Sequence, residues 1–164
     1  MKEKVAFTAS EIVSAVGGKL IKGNAEMSVS SVTTDSRMSD MGDLFIPLKG
    51  EKFDGHDFIG SILSENRMKG FLYSSSNSIP EIPDDCFAVE VKDTLHALGR
   101  LSSFHRKRVQ SEVIGITGTN GKTTTKELIA QIFSLKYKTL KSEKNYNNEV
   151  GVPFTLFRLS KDDK

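Results

Sequence analysis

Residues 113–133 read VIGITGTNGKTTTKELIAQIF, and this stretch decides how the rest of the chain is read. Val113, Ile114, Ile116 and Thr117 are β-branched, the composition of a strand. Gly118 and Gly121 then bracket a polar turn, and an amphipathic helix is predicted from about Thr123 to Leu135. Strand, glycine loop and helix in that order let backbone N–H groups at a helix N-terminus approach an anion closely. Lys122 adds a compact cation that would reach the β and γ phosphates of a nucleotide, and the Thr123 hydroxyl would ligate Mg²⁺. The plain alternative is a glycine-rich strand–helix turn with an incidental lysine, and the flanking elements favour nucleotide binding over it. One departure narrows the class: a general phosphate loop has a further glycine where Ile116 stands.

The whole chain sets bounds on this reading. Its 164 residues allow one ordinary domain, or one small domain and part of another. Hydrophobic residues make up 37% and charged residues 27%, enough apolar content for a core. A formal net charge of +2 is too small to point to nucleic acid or an anionic membrane. No run approaches the length of a membrane span, and MKEKVAFTAS lacks the apolar centre of a signal peptide. A cytoplasmic location, no membrane insertion and a monomer are therefore expected. Cys86 sits in CFAVEV, where a buried strand thiol is expected rather than a nucleophile.

Upstream, Thr8 and Glu11 stand at capping-box spacing before a short helix that stops at Gly17-Gly18. Strands are expected at 19–22, through Val29 and Val32, at Leu44–Leu48, and in GFLYSS and CFAVEV. Helices are expected over about 58–66 and after Asp93, the latter with Leu95, Leu98, Leu101 and Phe104 on one face. Its basic end (Arg106, Lys107, Arg108) reads as a solvated helix C-terminus. A domain boundary is placed near Val109–Glu112, giving units of 1–110 and 111–164. A further short strand, KTLKS, is expected at 138–142.

Four stretches, in order, carry a resemblance: TTDSR (33–37), DLFIPLKGEKFDGHDF (43–58), GITGTNGKTTTKELI (115–129) and NYNNEVGVPFTLFRL (145–159). Together they resemble the Mur ligases, ATP-dependent amide-forming enzymes to which the folylpolyglutamate synthases are related. The resemblance implies an α/β chain: a small mixed-sheet N-terminal UDP-binding domain at 1–110, then the beginning of a P-loop ATPase domain at 111–164. It implies ATP contacts from Gly118, Thr119, Asn120, Gly121, Lys122, Thr123 and Thr124. Among these, Lys122 takes the catalytic role and Thr123 the metal. It implies UDP-substrate contacts from Thr34, Ser36, Glu51, Lys52, Phe53, Asn145, Asn147 and Asn148. Each has a plain reading as well: an Asx turn at Asp35-Ser36, a helix cap at Asn147-Asn148, a hydrogen-bonded loop histidine at His56. His96 and His105 are expected to be structural.

The asparagine-rich stretch is nearest to the family member that joins D-Ala-D-Ala to UDP-N-acetylmuramoyl-tripeptide through an acyl phosphate, in peptidoglycan precursor synthesis. ATP and Mg²⁺ are the implied cofactors, and those two small molecules the implied partners. Two rivals stand beside it: the preceding ligase, which adds a diamino acid, and a non-catalytic UDP-sugar-binding module. In the family, an acidic metal ligand, a modified lysine and a dipeptide-binding domain follow the asparagine loop. The expectation is thus of a piece of a longer ligase that does not ligate alone, its central sheet reduced to about two strands.

Overall fold

Six strands lie between Lys2 and Val91, the edge ones alternating in burial and the central β4, β5 and β6 almost wholly buried: β1 (Lys2–Thr8), β2 (Lys19–Lys22), β3 (Ser28–Thr33), β4 (Asp43–Phe45), β5 (Gly70–Ser74) and β6 (Phe87–Val91). They form one mixed sheet in the order β1-β3-β4-β5-β6-β2. β3, β4, β5 and β6 run parallel, with β1 and β2 antiparallel at the two edges. The computed structural model describes residues 1–143 and 146–163 and divides into two compact units, Met1–Leu101 and Ser102–Lys164.

In the first unit, α1 (Ala9–Val16) starts at Thr8, whose side chain accepts from the Glu11 N–H while the Glu11 carboxylate accepts from the Thr8 N–H. This helix lies against β1, β2 and β6. α2 (Ile59–Ser64) brings Ile59 and Ile62 onto Phe45, Phe71, Tyr73, Cys86 and Ala88. Side chains of that size contribute about 1.5–3 kcal/mol each when removed from water, which makes this cluster a principal anchor of the sheet. Cys86 is buried within it, and burial pushes its thiol up to about 11, so it is no nucleophile at neutral pH. α3 (Thr94–Val109) begins where the Asp93 carboxylate accepts the His96 N–H at 2.6 Å. Leu98 and Leu101 are fully buried on it.

The second unit contains α4 (Lys122–Ser134) and α5 (Gly151–Phe157). Phe154 and Phe157 are buried and meet edge to face at 5.8 Å. His105 is also buried: its Nε2–H donates to Leu159 O at 2.9 Å, and its Nδ1 accepts from Arg108 at 3.1 Å. It serves packing, as expected. Among the described residues no helix is long and apolar enough to cross a membrane.

Four expectations are corrected. Residues 113–117 form no strand, and Val113 and Ile114 are more than half exposed. KTLKS forms none either, only an isolated bridge between Lys138 and Asp163. A strand is a pairing, and the second unit presents no neighbouring strand among its described residues to take up those N–H and C=O groups. The expected two-stranded remnant of a central sheet is therefore absent there. The Leu44–Leu48 strand ends at Phe45, although the Ile46 N–H still donates to Thr33 O at 2.9 Å. β1 was not expected: Lys2, Glu3 and Lys4 conceal an alternation that buries Val5 and Phe7.

Candidate functional site

The turn into α4 is built by its two glycines. Gly118 has φ +147° and Gly121 has φ +77°, conformations that side-chain-bearing residues rarely adopt. Gly121 is the N-cap of α4, and the first intrahelical bond runs from the Thr125 N–H to Gly121 O at 2.9 Å. The N–H groups of Lys122, Thr123 and Thr124 precede that bond and have no partner within the helix. A Cβ at Gly121 would meet nothing within 4 Å, and one at Gly118 only Asn120 O at 3.7 Å. The turn is thus uncrowded at both glycines, and all of Gly118–Thr124 is exposed. The Lys122 ammonium folds onto the loop, 2.5 Å from Gly118 O and 3.3 Å from Thr119 O.

This geometry fits a polyphosphate: helix-end N–H groups, the positive end of a 13-residue helix and the Lys122 ammonium lie together at one exposed turn. It fits a metal less fully. Thr123 offers one hydroxyl, and no cluster of three or more His, Cys, Asp or Glu side chains stands ready for a metal among the described residues.

Thr34, Ser36 and Glu51–Phe53 lie in the first unit, beyond the carboxyl ends of β3 and β4. In open α/β sheets this edge is where ligands bind. After β3, Thr34 donates its N–H to Met1 O at 3.1 Å. Asp35 caps a single 3₁₀ turn, Ser36–Met38, by accepting from the Arg37 N–H. The Arg37 guanidinium grips the same carboxylate twice, at 2.9 and 2.8 Å, and holds it down at about 2. Arg67 donates to Ser36 O at 2.9 Å. The Asx-turn reading is therefore correct in geometry, and it leaves the Ser36 side chain half-buried at the sheet's edge. Arg67 had no signal in sequence, because it stands 31 residues away. After β4, Glu51, Lys52 and Phe53 form an exposed turn closed by a Gly50 N–H to Phe53 O bond of 2.9 Å.

The asparagine loop is divided. Asn145 lies outside the described residues. Asn147 is exposed. The Asn148 Oδ1 accepts the Gly151 N–H at 2.6 Å in the turn that leads into α5, whose N-cap position is held by Val150 with no side-chain cap bond. That bond occupies its oxygen and leaves its NH₂ end to donate.

Two family profiles match the chain: "Mur ligase family, catalytic domain" over residues 28–106 and "Mur ligase middle domain" over 116–164. The UDP-N-acetylmuramoyl-tripeptide–D-alanyl-D-alanine ligase of Bacillus subtilis is 37% identical over 153 residues, covering 93% of this chain and 33% of that protein. A crystal structure of MurF from Acinetobacter baumannii superposes with a TM-score of 0.83 at 34% identity, over 98% of this chain and 34% of that one. MurF from Thermotoga maritima, solved in complex with ADP, gives 0.67 at 29% identity, over 77% and 28%. The chain spans about a third of the length of the curated relatives it matches.

Proposed function

The chain belongs to the Mur ligase family, and from that premise we propose that it carries the nucleotide-gripping elements of an ATP-dependent amide ligase. The reaction would join D-Ala-D-Ala to the tripeptide carboxylate of UDP-N-acetylmuramoyl-tripeptide in peptidoglycan precursor synthesis. The observation that carries this reading is the open turn at Gly118–Thr124, with its left-handed glycines and its lysine at the start of α4.

ATP with Mg²⁺ would supply the γ-phosphoryl group that activates the carboxylate. Backbone N–H groups from Lys122 to Thr124 would bind the phosphate oxygens, Lys122 would neutralise developing charge, and Thr123 would hold the metal. Residues 1–110 would grip the UDP end through Thr34, Ser36 and Glu51–Phe53. Residues 111–164 would begin the ATP-binding domain, and Asn145, Asn147 and Asn148 would contribute contacts to the UDP-sugar. Gripping a large group remote from the chemistry fixes the carboxylate in place, which supplies rate without touching the reacting atoms. Such precursors would place the activity in the cytoplasm.

Ligation by residues 1–164 alone is not expected, since Thr123 is a single metal ligand with no acidic cluster beside it among the described residues. Titration of the chain with ATP and, separately, with UDP tests the reading. Saturable binding of both, with no ADP released in the presence of tripeptide precursor and D-Ala-D-Ala, is the expected result. UDP binding without ATP binding would favour a non-catalytic UDP-sugar module instead. The unformed strand at 113–117 is the observation on that side.

A further inference from the structure

The exposed turn at Glu51–Phe53 is fastened to the sheet by one imidazole. Lys49 and Asp54 form an isolated antiparallel bridge at its base, and the Gly55 N–H donates to Leu48 O at 3.0 Å. The chain passes so closely there that a Cβ on Gly55 would stand 2.8 Å from Leu48 N. His56 follows, with a side chain only 5% exposed. Its Nδ1 lies 2.6 Å from Asp54 Oδ1, and the Ser74 backbone N–H donates to its Nε2 at 3.1 Å. A nitrogen that accepts an N–H carries no proton, so the ring is the Nδ1–H tautomer and donates to Asp54. The His56 backbone N–H donates to the same Oδ1 at 3.0 Å, and these bonds hold the Asp54 carboxyl below its usual range.

The place of Ser74 explains why a ring is needed. Ser74 ends β5, and the next N–H, of Ser75, donates to Val91 O on the β6 side. Successive strand N–H groups point to opposite neighbours, so the Ser74 N–H points towards the β4 side. β4 has already ended there, its last pairing being Phe45 with Phe71. The His56 Nε2 supplies the acceptor that the missing strand does not.

We propose that His56 is a positioning residue for the nucleoside diphosphate end of the substrate. Through its Nδ1–H tautomer it pins the base of the Glu51–Phe53 turn to the carboxyl end of β5. This rests on the reading of that turn as part of the UDP site. Lys52 offers a cation to a diphosphate, and Phe53, 75% exposed, offers a stacking face to a base. Both lie at the tip of a turn whose base the imidazole holds.

The test uses the 164-residue chain and UDP as the probe. His56→Gln retains an acceptor near the Nε2 position, whereas His56→Leu keeps comparable bulk and has no acceptor. UDP titration is combined with ¹⁵N NMR of the imidazole and with amide exchange at Ser74. The expected result is an unprotonated Nε2, a protected Ser74 amide, UDP binding by the leucine variant at least about fivefold weaker than wild type, and binding by the glutamine variant within about twofold. Equal UDP affinity in wild type and the leucine variant overturns the proposal and leaves the UDP reading intact. A glutamine variant as weak as leucine, or a protonated Nε2, overturns it as well. A wild-type chain that binds no UDP overturns both together.

Discussion

The Lys122 ammonium is held by its own loop, 2.5 Å from the carbonyl oxygen of Gly118. A phosphate entering the turn would exchange that neutral acceptor for a charged one, and a charge-assisted bond is worth about 1.5–3 kcal/mol. Lys122→Ala is therefore expected to weaken ATP binding by at least about tenfold. The exposed loop bond contributes little to folding, so the melting temperature should hardly move. Lys122→Arg should not restore affinity, because a planar guanidinium does not replace a compact ammonium inside so tight a turn. ATP titration beside thermal melting checks this. Unchanged affinity in the alanine variant would remove Lys122 from the site.

Asn148 accepts the Gly151 N–H through its side-chain oxygen in the turn before α5. Asn148→Ala should cost about 1 kcal/mol of stability, the ordinary net worth of one such hydrogen bond. Asn148→Asp keeps an acceptor for the Gly151 N–H but removes the NH₂ donor. If the NH₂ end meets the UDP-sugar, the aspartate variant will fold as wild type and bind the tripeptide precursor less tightly. Denaturant unfolding and precursor titration separate the two roles. An aspartate variant with full affinity would leave Asn148 with its structural bond only.

These two residues show where the sequence was legible. The phosphate turn is local: its glycines, lysine and following helix are consecutive, so each could be read from its neighbours. The same holds for the Thr8–Glu11 capping box and for Asp93 at the start of α3. The run at 113–117 misled because β-branched composition describes a residue fit for a sheet and says nothing of whether a partner strand exists. β1 was missed for the opposite reason, since charged residues at 2–4 dilute its alternation and its pairing with β3 lies about 30 positions along the chain. The bonds of Arg67 to Ser36 and of His56 to Ser74 join residues 31 and 18 apart. No local pattern encodes either. The candidate UDP turns were therefore visible as positions, and His56 as a hydrogen-bonded loop histidine, whereas Arg67 and the partner of His56 on β5 were not.

His105 gives the second unit a pH dependence of definite sign. Burial disfavours its imidazolium and lowers its proton affinity, and the nearby Arg108 acts in the same direction against the opposing pull of the Leu159 carbonyl. In the unfolded chain the ring titrates near 6.5. Protons then bind the unfolded state more readily, so the stabilising contribution is present above pH 6.5 and is lost as pH falls through the lower native value. Denaturant unfolding of wild type and His105→Phe, measured from pH 8 to pH 5, should show a steeper acid loss in wild type. Parallel curves would mean that the ring does not titrate differently on folding.

The strongest single dependence is expected at Asp43, whose side chain is 2% exposed. It sits at the start of β4 and gathers three neighbours: Lys2 of β1 at 2.7 Å, the Ser31 hydroxyl of β3, and the Asp40 N–H at 2.8 Å. The carboxylate thus ties three adjacent strands, β1, β3 and β4. Removing one partner of a buried pair leaves the others desolvated and unmatched, a loss of about 3–5 kcal/mol. Asp43→Ala should show that loss in urea unfolding. Asp43→Asn keeps an acceptor and should lose less, because only the charge on Lys2 is left uncompensated. Lys2 is partly exposed, 24% for its side chain, and can turn to water, so Lys2→Ala should cost less than Asp43→Ala. An alanine variant at Asp43 as stable as wild type would show that the three strands are held by apolar packing alone.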